Sequence, residues 1–491
     1  MSKKKQGKRA KRTAQEIKPF AFAGHYDLAV VGGGAAGLAC ALSCAQEAQR
    51  LGGRMPRIIV LEKGRRIGTS ILRSGNGRCN FSNSHLQSGE YHNADFVARS
   101  LTTLANMVEG PLFAGSGGFG FQGSVGSVDA LAVPVIRWFE QLGLVWEESS
   151  GSGGLLYPFS NKASSVLEVL LSALRQFDVD LRVCVGVDAV NSSADGFELS
   201  ISQVPLPQSG QARSASSVGA ACEQGSRRKA DPDDPSCAQH AQIQATRVAL
   251  APGGAFEAPL LENVGLGLLE PWQPVLGPLA VRFPEQVDAG QLDGIRARAR
   301  VFVPEAGFSE FGEVLFREYG LSGIVIFNAS RRVAPGAKLY LDFLPELSAA
   351  DAEVMLSRRA QQFPGGSNQA LFGGFLLPEL AEAVCGAAGV SPAAPVSEPD
   401  ARSLAAVLKH FPCTVEGIAD AGQCQVQRGG VGVDAVDSAT MECVAAPGLY
   451  LLGEALDVDG PCGGYNLHWA WSSGLLAGLN AACFIAKGKQ C

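Results

Sequence analysis

No Cys-x-x-Cys occurs among the thirteen cysteines of this 491-residue chain, and the closest pair, Cys40 and Cys44, lies four apart in a helical pattern. That spacing excludes a thioredoxin-like redox motif and the paired ligands of a structural zinc, so no metal site is expected. An odd cysteine count in a long chain without a signal peptide reads as reduced thiols in a cytoplasm. A strong charge of one sign is also lacking. The formal net charge is −6, which offers no general reason to expect nucleic acid or an anionic membrane as partner. No internal repeat is visible. A membrane reading arises only at residues 28–45, an uncharged run behind a basic arm, and no second candidate span is expected. Four glycines divide that run into a four-residue apolar start and a stretch at helical spacing, so it reads as a buried strand, a turn and a helix.

What is present is ordinary globular material in a chain long enough for two or three domains. Residues 1–12 carry seven Lys or Arg and begin a tail, 1–24, read as solvated and disordered. The sharper alternative for that tail is an arm for RNA or an anionic surface. Order is expected from Tyr26: a strand, a glycine turn, a helix over residues 36–50 and a strand over 57–62 make one βαβ unit. Helices are expected at 94–107, 128–142 and 164–177, around a glycine-rich loop at 115–126. Strands follow at 181–190, 197–204 and 243–251. Residues 205–242 hold almost no large apolar side chain and read as a disordered loop between two strands. Residues 276–344 look β-rich, with strands expected at 279–283, 299–303, 323–329 and 338–343. Residues 347–409 read as short helices at 348–363, 368–377, 378–388 and 400–409. A last strand at 448–452 runs through an acidic glycine loop into a helix at 465–486.

The turn after the first strand is Gly32-Gly33-Gly34-Ala35-Ala36-Gly37. In G-x-G-x-x-G the first glycine permits the turn, the second lets backbone approach a diphosphate, and the third lets the helix pack on the strand. Glu62 closes the second strand, placed to accept hydrogen bonds from ribose hydroxyls. The helix start offers free N–H groups and about half a positive charge to phosphate. Two later features favour FAD over NAD. Gly75-Asn76-Gly77-Arg78-Cys79-Asn80 follows the second strand where an NAD domain begins another helix, and the last strand runs into Gly453-Glu454 and then Gly463-Gly464-Tyr465-Asn466.

With YDLAVVGGGAAGLACA, VLEKGRRIG, SGNGRCNFSN, YPFSNKASSVLEVL, GEVLFREYGLSG, KHFPCTV and PGLYLLGEALDVDGPCGGYNLHWAWSSGLLAG in the expected order, the chain resembles a family of bacterial flavoproteins. These are the FAD-dependent oxidoreductases described as aminoacetone-oxidase-like or bile-acid-dehydro-reductase-like. The resemblance implies an α/β fold: a glutathione-reductase-type, Rossmann-like FAD-binding domain interrupted by a small β-barrel and a short helical insert. It assigns residues 25–265 plus 425–491 to the FAD domain, 266–346 plus 405–424 to the barrel and 347–404 to the insert. Carried over, it implies FAD contacts at Gly32, Gly34, Ala36, Gly37, Glu62, Lys63, Ser74, Gly75, Asn76, Gly77, Arg78, Cys79, Asn80, Val187 and Gly254. It adds Gly453, Glu454, Asp457, Asp459, Gly464, Tyr465, Asn466 and Leu467. The sequence departs from the family at Thr69-Ser70, at Ala251-Pro252-Gly253-Gly254, which lacks the glycine- and threonine-rich stretch that follows in relatives, and at Arg317-Glu318.

A helix opening at Gly464 would aim its positive end at the N1 and C2-carbonyl edge of the ring, where reduced flavin carries negative charge. Glu454 or Asp457 is expected at the ribityl hydroxyls, and Asp459 at these or in a structural hydrogen bond. Cys79 has no partner cysteine nearby in sequence and reads as a structural thiol. Arg78 is open between phosphate and carboxylate, with phosphate favoured. The acid–base candidates are His468, Tyr465 and Glu318, with Arg317 and Tyr319 beside them; His468 between tryptophans and His410 in KHFP both read as packed. The expected activity is an FAD-dependent oxidoreductase passing a hydride through flavin N5 to or from a small organic substrate, without a redox disulfide. NADH or NADPH is expected only as a transient donor, since the other glycine-rich run, 115–126, reads as a loop. The alternatives are an RNA-associated flavoprotein and a non-catalytic flavin-binding protein.

Overall fold

The computed structural model describes residues 18–108, 128–149, 153–204, 239–254, 256, 259–266, 269–362 and 364–487. The basic run 1–12, the loop 115–126 and most of the 205–242 segment lie outside the described residues. Residues 239–242 do not: His240–Leu250 is one strand, paired from Ser202 onward with its neighbour. Residues 18–24 are likewise fixed, with Lys18 Nζ 2.6 Å from Asp180 and Arg182 donating to the Pro19 carbonyl at 2.8 Å.

Seven strands form the main sheet. Asp180–Val183, Ile58–Glu62, His25–Val31 and His240–Leu250 lie side by side and parallel. Gly196–Gln203 and Val185–Ser193 extend it antiparallel, and Leu449–Leu451 pairs parallel with His240–Leu250. In register, Val31 stands opposite Leu61 and Leu250, and Leu451 opposite Leu250. The ends of four strands therefore converge, which is where open α/β sheets bind ligands.

Helix Ala35–Arg50 packs along the terminal helix Tyr465–Lys487 through small residues. A Cβ at Gly474 would lie 2.4 Å from the Ala36 carbonyl, and one at Gly478 2.0 Å from Ser43 Oγ. This contact explains both apolar runs. Against expectation, Tyr465–Ala486 is also long and apolar enough to cross a membrane, yet 78% of that window is buried inside the protein. It is a core helix.

Leu279–Arg282, Arg296–Val303, Phe308–Arg317, Gly320–Ser322, Lys338–Asp342 and Phe411–Ile418 close into a barrel. Along Arg296–Val303 the alternation is direct: Ala299, Val301 and Val303 fill the barrel while arginines face outward. Residues 323–329 are not the expected strand. Ile324–Ser330 is a helix, because Gly323 turns the chain at φ +112° and Val325, Ile326 and Ala329 then plug the barrel core. Tertiary burial overrides the β-branched run. Helices Ala349–Gln362, Pro378–Ala387 and Glu398–Lys409 cover the barrel; the helix expected at 368–377 is only a short 3-10 turn, Gln369–Phe372, stopped at Gly373 and Gly374.

Candidate active site

The glycine turn is shaped by backbone contacts that no side chain could share. Gly32 has φ +106° and a Cβ there would lie 2.1 Å from the Ala251 carbonyl; at Gly37 it would lie 2.0 Å from the Gly32 carbonyl. Gly34 caps helix Ala35–Arg50 without any side-chain hydrogen bond, and no acidic residue occupies the first turn. The N–H groups at that end thus remain available to an anion. Glu62 accepts from the Gly33 N–H at 2.8 Å and the Gly64 N–H at 2.6 Å, which sets its carboxylate beside the turn. Lys63 is exposed beside it, and Ala36 lies within the helix. Val187 is partly buried on the outer strand Val185–Ser193.

Gly254 and Glu454 meet across the strand ends. A Cβ at Gly254 would lie 2.8 Å from Glu454 Oε1, which accepts from the Gln427 N–H at 2.6 Å. Burial pushes the Glu454 carboxyl above its ordinary value, only partly offset by backbone N–H donors. Gly453 donates to Ser473 Oγ and accepts from Trp469 Nε1, so the last strand is tied to the terminal helix.

The loop from Ser74 to Asn80 runs through left-handed backbone at Gly75, Asn76, Gly77 and Cys79. Ser74 donates to the nearby Ile71 carbonyl, and Asn80 accepts from the N–H of Leu156 on a neighbouring strand. The Arg78 guanidinium lies 4.5 Å over the Tyr157 ring. Cys79 is fully buried, and desolvation pushes its thiol up to about 12. This loop packs directly on the start of the terminal helix. Asn83 donates to the Gly463 carbonyl at 2.9 Å, Trp471 to the Phe81 carbonyl at 3.1 Å, and a Cβ at Gly464 would lie 2.3 Å from the Ser82 carbonyl. The two most specific motifs of the sequence are therefore halves of one structure.

Ahead of that helix, Asp457 accepts from His92 at 3.0 Å, from the Gly429 N–H at 2.8 Å and from Asn93. Burial alone would raise its carboxyl, but these donors hold it below the ordinary carboxylate value. Asp459 is wholly buried and takes Arg331 at 2.5 Å and Arg428 at 2.7 Å. Both of its oxygens take guanidinium groups, which is the structural hydrogen bonding expected as one of its two roles. Asn466 exchanges two 2.8 Å hydrogen bonds with the Gly460 backbone, and Leu467 is partly buried beside the core.

The acid–base candidates do not gather at one point. His468 is fully buried with Nδ1 2.9 Å from Ser82 Oγ, and burial pushes its imidazole down to about 3, so it stays neutral. Tyr465 packs its ring at a tilt against Tyr91, and its hydroxyl hydrogen-bonds the backbone of His85 and Gln87. At a barrel hairpin Asp293 accepts from the Glu318 backbone N–H and pairs with the Arg317 guanidinium, and Tyr319 is exposed there. His410 packs edge-on to Phe302. Residues that sequence reasoning passed over stand closer. Asn328 accepts from the Cys462 N–H at 2.8 Å and donates to Glu310 at 2.9 and 3.0 Å. Asn328 lies in the run read as a strand, which hid it.

An uncapped helix start, a turn with no room for side chains, a carboxylate at the second strand end and a second glycine approach fit FAD laid along the strand ends. The chain matches the HI0933-like protein Rossmann domain over residues 132–480 and an FAD-binding domain over residues 27–110. It belongs to the HI0933-like family. Its cofactor is FAD, and it is a bacterial-type FAD-dependent oxidoreductase. A 3-dehydro-bile acid delta(4,6)-reductase of Clostridium scindens is 30% identical over 481 residues, 93% of this chain and 98% of that protein. Ribosomal RNA dihydrouridine synthases of Escherichia coli and Haemophilus influenzae are 26% and 24% identical, covering 91% and 94% of this chain and 96% and 98% of theirs.

Proposed function

We propose that this oxidoreductase saturates a carbon–carbon double bond conjugated with a carbonyl in a small organic substrate. Bound FAD supplies the hydride chemistry, through its N5, that no side chain here can provide. The observation that carries direct transfer is the state of the thiols. Cys79 and Cys462 are free, lie on two different loops, and are each pushed up to about 12 by burial. A thiol–disulfide relay needs a thiolate, and neither group supplies one near neutral pH. Cys483 departs from the expected reduced state, being disulfide-bonded, but it sits about 27 Å along the terminal helix from Tyr465. The relatives support the substrate chemistry. A delta(4,6)-reductase of a 3-dehydro compound and a dihydrouridine synthase both describe saturation of a double bond conjugated with a carbonyl.

The protein's own share is orientation. The start of Tyr465–Lys487 would direct N–H groups and a positive end toward the ring edge that gains negative charge on reduction. This reading assigns Glu454 and Asp457 to the ribityl hydroxyls. NADH or NADPH is the donor in this reading, and visits only briefly. Anaerobic stopped-flow with each nicotinamide, followed by conjugated enones, tests it at the flavin band. Rapid bleaching and then recovery on enone addition is expected. Bleaching by neither nicotinamide, or recovery only with oxygen, would refute it. The paired change Cys79→Ser with Cys462→Ser is expected to leave both rates within about threefold of the parent; a tenfold fall in bleaching would reinstate a thiol relay.

A second reading takes RNA as the substrate carrier. Two relatives are named for ribosomal RNA, and residues 1–12 are strongly basic. Retained RNA that washes off steeply with salt would support it. Undiminished retention after deletion of residues 1–20 would remove the tail from that role.

A further inference from the structure

Residues 457–464 form neither helix nor strand, yet 457–460 are buried and 461–464 half-buried, so the loop's shape depends on side chains that reach it from elsewhere. The flavin domain supplies His92 and Asn93 to Asp457, Asn83 to Gly463 and Asn466 to Gly460. The barrel supplies two more anchors, both from one short segment. Asn328 accepts from the Cys462 N–H at 2.8 Å, and Arg331 donates to the Asp459 carboxylate at 2.5 Å and to its carbonyl at 2.9 Å. Glu310 decides which way the Asn328 amide faces. Its two oxygens take the amide nitrogen at 2.9 and 3.0 Å, and that leaves only the amide oxygen for Cys462.

We propose that Asn328, oriented by Glu310, is a positioning residue for the flavin ring: it fixes the Cys462 end of the loop from the barrel, so that barrel docking and ring seating are one event. The reasoning rests on the ring edge lying at the start of Tyr465–Lys487 and on no particular substrate. Arg331 gives the clamp its second point of hold at Asp459, three backbone positions before Cys462. A chain with the barrel loosened would still present Gly32 and Glu62 to the distant end of the cofactor. It would therefore bind FAD weakly and misplace the ring, rather than lose the cofactor altogether.

The test uses full-length apoprotein titrated with FAD, read by flavin fluorescence and by the visible band. Asn328→Ala is expected to weaken FAD binding about fivefold to tenfold at both pH 5 and pH 8, and to shift the band. Asn328→Asp discriminates further. Beside Glu310, two carboxyls can share one proton in acid and repel when both are ionised. Its FAD affinity should lie within about threefold of the parent at pH 5 and fall at least about tenfold by pH 8, while the parent changes little. A merely structural Asn328 would lower the apoprotein's unfolding midpoint and leave affinity, band and their pH dependence unchanged; that result overturns the proposal. Hydrogen exchange separates the premise from the clamp. FAD should slow exchange across residues 457–464 of the parent. Absence of that protection overturns the placement of the ring and the proposal with it, whereas protection together with unaltered Asn328 variants overturns the clamp alone.

Discussion

Asp459→Ala is expected to destabilise the protein by about 3–5 kcal/mol, seen as a lowered urea midpoint, with release of FAD at the same transition. Asp459 is 0% exposed, and the Arg331 side chain that pairs with it is 4% exposed. Removing the carboxylate strands one deeply buried guanidinium and one partly buried one, and arginine cannot shed its proton to escape the cost. The pair joins distant parts of the chain: Arg331 follows the barrel helix, Arg428 lies on Val426–Val431, and Asp459 precedes the terminal helix. A conservative Asp459→Asn should fail nearly as badly, because shape without charge leaves both cations unneutralised. An Asp459→Ala protein with an unchanged midpoint would show that the cluster contributes nothing net.

The same carboxylate imposes an acid limit. Burial would raise its pKa, but the hydrogen bonds and charges of Arg428 and Arg331 outweigh burial and hold it below the ordinary aspartate value. The unfolded chain therefore takes up the proton more readily than the folded one. Stability from this group is fully present above about pH 4 and is lost as pH falls further, through the folded-state value. Asp457 acts in the same direction. A stability profile that declines below about pH 4 in the parent, with a smaller decline in a surviving Asp459→Asn protein, is the expected outcome.

The second large effect is a contrast within the glycine turn. Gly32→Ala should yield protein without the flavin band, with FAD affinity lowered at least about a hundredfold, because the added carbon meets the Ala251 carbonyl and the left-handed φ disfavours it. Its fold should suffer too, since the Gly32 N–H also donates to the Leu61 carbonyl at 2.8 Å. Gly34→Ala is the cleaner probe. There the backbone is extended, and the new carbon would meet only Ser70 Oγ, at 3.2 Å, which can rotate aside. The apoprotein should therefore melt close to the parent while FAD affinity drops about tenfold or more, because the diphosphate, not the protein, needs that space. Full affinity in Gly34→Ala would show that the cofactor does not approach this turn.

Most of the FAD framework could be read from the chain alone, and the reason is local. A backbone that must turn at Gly32 or leave a helix start open at Gly34 demands glycine at that position wherever the rest of the protein goes. A carboxylate that ends a strand 25 residues after Gly37 reaches the turn because parallel pairing dictates the separation. The left-handed run at Gly75 to Cys79 and the second approach at Gly464 announce themselves in the same way.

The other face of the site escaped for an equally physical reason. Glu310, Asn328, Arg331 and Arg428 are unremarkable in their own segments, and each acquires its role from a partner 18 to 134 residues away. Asn328 was further concealed because Ile324-Val325-Ile326 favours a strand in isolation, and only burial in the barrel mouth makes it a helix. The acid–base candidates failed in the opposite sense. His468 looks reactive by type and spacing, yet close packing leaves it dry and neutral. The sequence by itself determined the cofactor, because glycine positions and strand ends obey backbone geometry that acts over a few residues. Only the tertiary structure decided how the barrel is tied to the 457–464 loop, because hydrogen bonds and ion pairs between them depend on distances that no local pattern encodes.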